Sequence, residues 1–149
     1  MAATDAESLL NIQQATGKQV RLPKVTLILR LLFAVFLFGT GIMTMGFGFR
    51  GYPIGDPPRP VDHLMQALQE TGYLIFWVGL FKFVTGTLMF AKRTTPLAIV
   101  MALPYTVNII LYCFFVAPQY LPIGVPDLLL NVFLIYAYFD WYRGVFDPS

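Results

Sequence analysis

Apolar residues in this chain come in long unbroken runs. Four of them approach the roughly 20 residues that a helix needs to cross about 30 Å of hydrocarbon. These runs predict transmembrane helices at 25–47, 72–91, 95–116 and 125–142. Pro104 falls inside the third and predicts a kink, with neighbouring groups satisfying the freed carbonyl. Pro126 falls near the first turn of the fourth, a position that suits proline. Between the first two runs lies an outer loop, 48–71, whose stretch RGYPIGDPPRP (50–60) is too rich in proline and glycine for helix or strand. Val61, Leu64, Met65 and Leu68 then recur at helical spacing and predict a short amphipathic helix at the outer interface. In the polar segment 1–24, TDAE at 4–7 matches a capping box, and Gly17 closes the short helix that it opens. Leu9, Leu10 and Gln13 give that helix a weak apolar stripe, suited to a membrane surface or a partner. The expected fold is all-α: one membrane domain over 1–149, a transmembrane four-helix bundle with short amphipathic helices at the N-terminus and in the first outer loop. No internal repeat is present.

Composition strengthens the membrane reading. Of 149 residues 57% are hydrophobic and only 12% charged, against about 25% charged in soluble domains. The mean hydropathy is +0.66. A net charge of +2, dispersed along the chain, gives no footprint for nucleic acid. With one cysteine, Cys113, and one histidine, His63, the chain can form no internal disulfide, and by itself no bis-histidine haem site or metal centre. The first 24 residues carry Asp5 and Glu7 and lack the features of a cleaved signal, so the first apolar run is expected to stay as an anchor.

Basic residues set the expected orientation. Lys18, Arg21, Lys24, Arg30, Lys92, Arg93 and Arg143 gather on one side, against Arg50 and Arg59 on the other. Both termini are therefore expected in the cytoplasm of a bacterial inner membrane. Tyr136, Tyr138, Trp141 and Tyr142 then form an interfacial anchor at the cytoplasmic end of the last helix.

One charge breaks the pattern. Lys82 sits at the middle of the second run, where an ammonium costs roughly 2.5–3.5 kcal/mol on insertion scales. Gly72, Gly79 and Gly86 are seven residues apart and mark a face for close helix packing, with Lys82 on the same stripe. Gly39 and Gly41, with Gly46 and Gly48, read the same way in the first run. Counting depth at 1.5 Å per residue puts Tyr105 level with Lys82, and Asn108 and Asn131 nearer the outside, toward which the lysine leans. Glu70 and Asp127 are expected near the outer boundary, too far for easy neutralisation. Three roles are open to Lys82: a structural lysine solvated by Asn and Tyr, a partner for a carboxylate or lipid phosphate of another molecule, or a substrate ligand. No Ser–His–Asp set or phosphate loop is present, so no catalytic residue is expected.

The stretch ETGYLIFWVGLFKFVTGTLMFAKRTTPLAIVMALPYTVNIILYCFFVAP resembles the DoxX family of small four-helix membrane proteins. The likeness is carried by the TGYL entry, Gly86, R-x-x-PLA at 93–98, P-x-x-VNI at 104–109 and Pro118. LRLLFAVFLFGTGI is similar to the family's first helix, with Arg30 as its entry arginine. The resemblance spans roughly residues 27–143. It implies a four-helix membrane bundle of the kind associated with thiosulfate:quinone oxidoreductases and other membrane redox assemblies. Where many relatives carry a glutamate in the second helix this chain has Lys82, and where they often carry a histidine in the third it has Cys113. Those departures favour a scaffold over a catalyst. The expected function is a non-catalytic accessory subunit of a larger inner-membrane, energy-converting or redox complex. Its partners are then the lipid bilayer and other integral subunits, with no cofactor of its own beyond a lipid or quinone at its surface. The alternatives are a quinone-facing oxidoreductase subunit, or a small transporter or assembly chaperone. Lys82, Tyr105, Asn108 and Asn131 are the candidate contacts for partner, lipid or quinone.

Overall fold

The structure, a computed structural model, describes residues 19–146. The predicted N-terminal helix, with its cap at 4–7 and Gly17, lies outside them. Every regular element among the described residues is helical: α1 (Pro23–Arg50), α2 (Pro60–Glu70), α3 (Leu74–Phe90), α4 (Thr95–Phe115), α5 (Leu121–Ala137) and α6 (Phe139–Phe146), with a 3-10 turn at Pro118–Tyr120 leading into α5.

Three segments are each long and apolar enough to cross a membrane: α1, α4, and the continuous stretch Pro118–Ala137. The pair α2 and α3 passes the same test together, although the two meet at 102°. The protein is an integral membrane protein with three such spans, or four when the bent pair is taken as one.

Several boundaries differ from those expected, for local reasons. Helix α1 starts at Pro23, and the residue before a proline is pushed away from the right-handed helical region. Leu22 sits accordingly at φ 51, while its carbonyl still accepts the Thr26 amide at 2.9 Å. Helix α3 starts at Leu74, because Gly72 adopts φ 78 in the turn after α2. Gly72 is therefore a turn glycine rather than a member of the packing stripe. The last apolar run is not one helix over 125–142. Pro122 takes the early helical position that had been assigned to Pro126, α5 begins at Leu121, and Pro126 lies inside it. The chain breaks at Tyr138 before the short α6.

Helices α1 and α3 form the closest pair, and α4 packs between α3 and α5. A Cβ placed on Gly41 would stand 2.5 Å from the Phe83 nitrogen, and one on Gly86 the same distance from the Phe38 nitrogen. One on Gly79 would collide with the Met45 nitrogen. Only glycine lets the two backbones approach this closely, so van der Waals contact holds them together where water exclusion cannot. Gly39, in contrast, is exposed and meets nothing, so it takes no part in packing.

Phe33, Leu37, Met89, Ile99 and Leu134 fill the centre. Toward the end where residues 19–24, 91–96 and 137–142 meet, Arg30 is buried at 2% exposure. Its Nη1 donates to Thr95 Oγ1 at 3.4 Å and Tyr138 Oη at 3.5 Å, and its Nε is left without a partner. It therefore belongs to the interior and not to a basic surface. The aromatic group expected as an interfacial belt is divided by the same packing. Tyr138 is buried and the Tyr142 hydroxyl donates to the Pro96 carbonyl at 2.6 Å, while Tyr136 stays exposed with the Arg21 guanidinium 4.5 Å over its ring.

Candidate functional site

Lys82 lies eight residues into α3, about 12 Å from its start. On a helix of 3.6 residues per turn it is offset by about 50° from the line of Gly79 and Gly86. That offset turns it from α1 toward α4. Its Nζ rests 4.4 Å over the centre of the Tyr105 ring. Such a contact contributes about 0.5–1 kcal/mol in water and about 2 or more where both groups are desolvated.

The carboxylate that answers Lys82 is Asp127. Starting α5 at Leu121, beyond a 3-10 turn, carries Asp127 about 14 Å from the head of that segment and so to the level of the lysine. The expectation that it stays at the boundary is thereby overturned. Asp127 is only 8% exposed, and its Oδ2 is buried without a hydrogen-bond partner. The two charges act on each other electrostatically without making a contact ion pair. The sequence signal for this was the acid at a one-turn spacing before Asn131, hidden by the misplaced helix start.

The two asparagines part company. Asn131 is fully buried and ties α5 to α4, its Nδ2 donating to the Ile99 carbonyl at 3.3 Å while Oδ1 finds no partner. Asn108 is exposed on the outer face of α4, in line with Val100, Pro104, Val107 and Leu111. Neither solvates Lys82, contrary to the depth argument. Tyr105 alone of the three candidates meets the lysine.

Beside Asp127 an open groove of about 300 Å³ runs between α1 and α5. Its walls are apolar apart from that one carboxylate. Among the described residues no three His, Cys, Asp or Glu side chains gather as they would for a metal ion.

A second polar cluster organises the loop before α2. Asp62 Oδ2 accepts the amides of Gly55 at 3.1 Å and Arg59 at 2.8 Å, and Oδ1 pairs with Arg59 Nη2 at 2.9 Å. Arg59 also reaches the Tyr52 hydroxyl at 3.3 Å, and the Tyr52 amide donates to Gln69 Oε1 at 2.9 Å. The Arg59 side chain and then its amide hold the Asp62 carboxyl far below the usual carboxylate range, outweighing burial. Nothing in the sequence of a proline-rich loop reveals that Asp62 is the carboxylate that gathers these amides.

Compared with protein-family models, curated proteins and solved structures, the chain matches none.

Proposed function

We propose that this chain is a DoxX-like accessory subunit: a four-span helical bundle with no chemistry of its own, built into a larger inner-membrane complex of the energy-converting or redox kind. The observation that supports this is the Asn108 amide. It lies thirteen residues into α4, about 20 Å from its start, on the face turned away from the rest of the chain. An amide left without a hydrogen bond in hydrocarbon costs roughly 2–7 kcal/mol. One turn earlier on the same face Pro104 offers no amide hydrogen to the Val100 carbonyl, so a second polar group there lacks its usual helical donor. Polar side chains in apolar spans act chiefly as glue between helices. The missing partner is another membrane helix.

The test is purification in mild detergent from the native membrane, followed by native mass measurement and identification of co-eluting chains. Wild-type protein is expected to carry other integral subunits, and Asn108→Leu to lose them while staying folded. Recovery of the wild type as a lone chain, or only with copies of itself, overturns the proposal.

A further inference from the structure

The Asp127 groove does not include Asn108, and it sets one buried carboxylate in an apolar wall. Leu32 and Phe36 of α1 face Ile123, Pro126 and Leu130 of α5 across about 300 Å³. Leu32, Phe36 and Ile123 are exposed, so the groove opens sideways to the bilayer and not to an aqueous face. Asp127, more than nine-tenths buried, lines its wall, with one carboxylate oxygen lacking any partner. A carboxylate only accepts hydrogen bonds, so what fits beside it must donate one. Immediately before Asp127, Pro126 leaves the Pro122 carbonyl without its usual helical donor, placing a second acceptor in the same helix.

Charge decides the class of donor. Lys82 does not line the groove but acts electrostatically on Asp127, and the formal charges of the two cancel. A cationic head would leave an uncompensated charge in hydrocarbon, and an anionic one would face the carboxylate. A neutral hydroxyl meets the need without either penalty. We propose that the groove between α1 and α5 binds an uncharged, hydroxyl-headed lipid that enters from the bilayer, its hydroxyl donating to Asp127 and its chain lying along Phe36 and Leu130.

The experiment uses the full chain in phosphatidylcholine nanodiscs with a hexadecanol that carries a photoreactive diazirine, the adducts being mapped by mass spectrometry. Adducts are expected on the groove residues of α1 and α5, and to be displaced by plain hexadecanol but not by hexadecyltrimethylammonium or palmitate. Asp127→Leu is expected to weaken labelling about ten-fold, the loss of one hydrogen bond to a charged group. Asp127→Asn, which still accepts a hydrogen bond, should stay within about two-fold of wild type on the same reasoning. Leu130→Trp fills the groove and leaves the carboxylate in place, so it should abolish labelling even where Asp127→Leu proves too unstable to read. Labelling spread evenly over all lipid-facing helices and unchanged in Leu130→Trp overturns the site. Displacement by the ammonium in preference to the alcohol overturns the ligand class.

Discussion

Gly41 and Gly79 touch through their backbones. A Cβ on Gly41 would stand 3.0 Å from the Gly79 carbonyl oxygen, and one on Gly79 2.9 Å from that of Gly41. Neither helix can recede without opening the whole α1–α3 seam, which continues through Gly86 and Ala34.

Glycine substitutions therefore divide sharply. Gly79→Ala and Gly41→Ala are expected to destabilise by about 1–3 kcal/mol, since the new methyl meets backbone and not a yielding side chain. Gly39→Ala meets open space and is expected to be neutral or stabilising by up to about 1 kcal/mol. Unfolding of the three variants in mixed micelles separates the two classes, and equal losses at Gly39 and Gly79 would refute the seam.

Lys82 and Asp127 should behave as a unit. Lys82→Met leaves a buried carboxylate without its counter-charge, and Asp127→Leu leaves the ammonium, each costing about 3–5 kcal/mol. Removing both takes away two desolvated charges at once. The double variant is expected to be more stable than either single one, and a double-mutant cycle from unfolding measurements reads the coupling directly. Simple additivity of the two losses would show that the charges do not interact.

The loop before α2 should resist acid. Because the folded state depresses the Asp62 pKa below its unfolded value, the stabilisation is complete above the unfolded pKa of about 3.9. It fades only as pH falls from there toward the folded value. Hydrogen exchange at the Gly55 and Arg59 amides is therefore expected to stay protected, after correction for intrinsic rates, from neutral pH down to about pH 4. Asp62→Ala should remove that protection at every pH. Loss of protection in the wild type between about pH 7 and pH 5 would contradict the sign of the shift.

Residues 19 and 56 are expected on opposite sides of the membrane. The Gln19 amide donates to Asp140 at 3.2 Å and the Arg21 amide to the Ala137 carbonyl at 3.1 Å, which ties the start of α1 to the end of α5. Asp56 lies in the loop at the other end of α1. In a Cys113→Ala background, a membrane-impermeant thiol reagent added outside intact cells should label Asp56→Cys and spare Gln19→Cys, as the bias of basic residues requires. The opposite labelling would reverse the proposed orientation.

The positions of the long helices were legible along the chain because apolar run length is a local property, set by the thickness of hydrocarbon and the rise of a helix. Gly79 and Gly86 were legible for the same reason: seven residues is two helical turns, whatever the helix packs against. What needed the tertiary structure was facing and depth. A helix that is apolar all round carries no stripe to show which side looks inward, so Asn108 and Asn131 read alike although one is exposed and the other fully buried. Depth depends on where a helix starts, and reading the last helix from residue 125 put that start four residues late. The 3-10 turn at Pro118–Tyr120 and the helix from Leu121 settled it, and with it brought Asp127 within electrostatic reach of Lys82. Periodicity fixes what lies along one helix; only packing between helices decides which charges share a level.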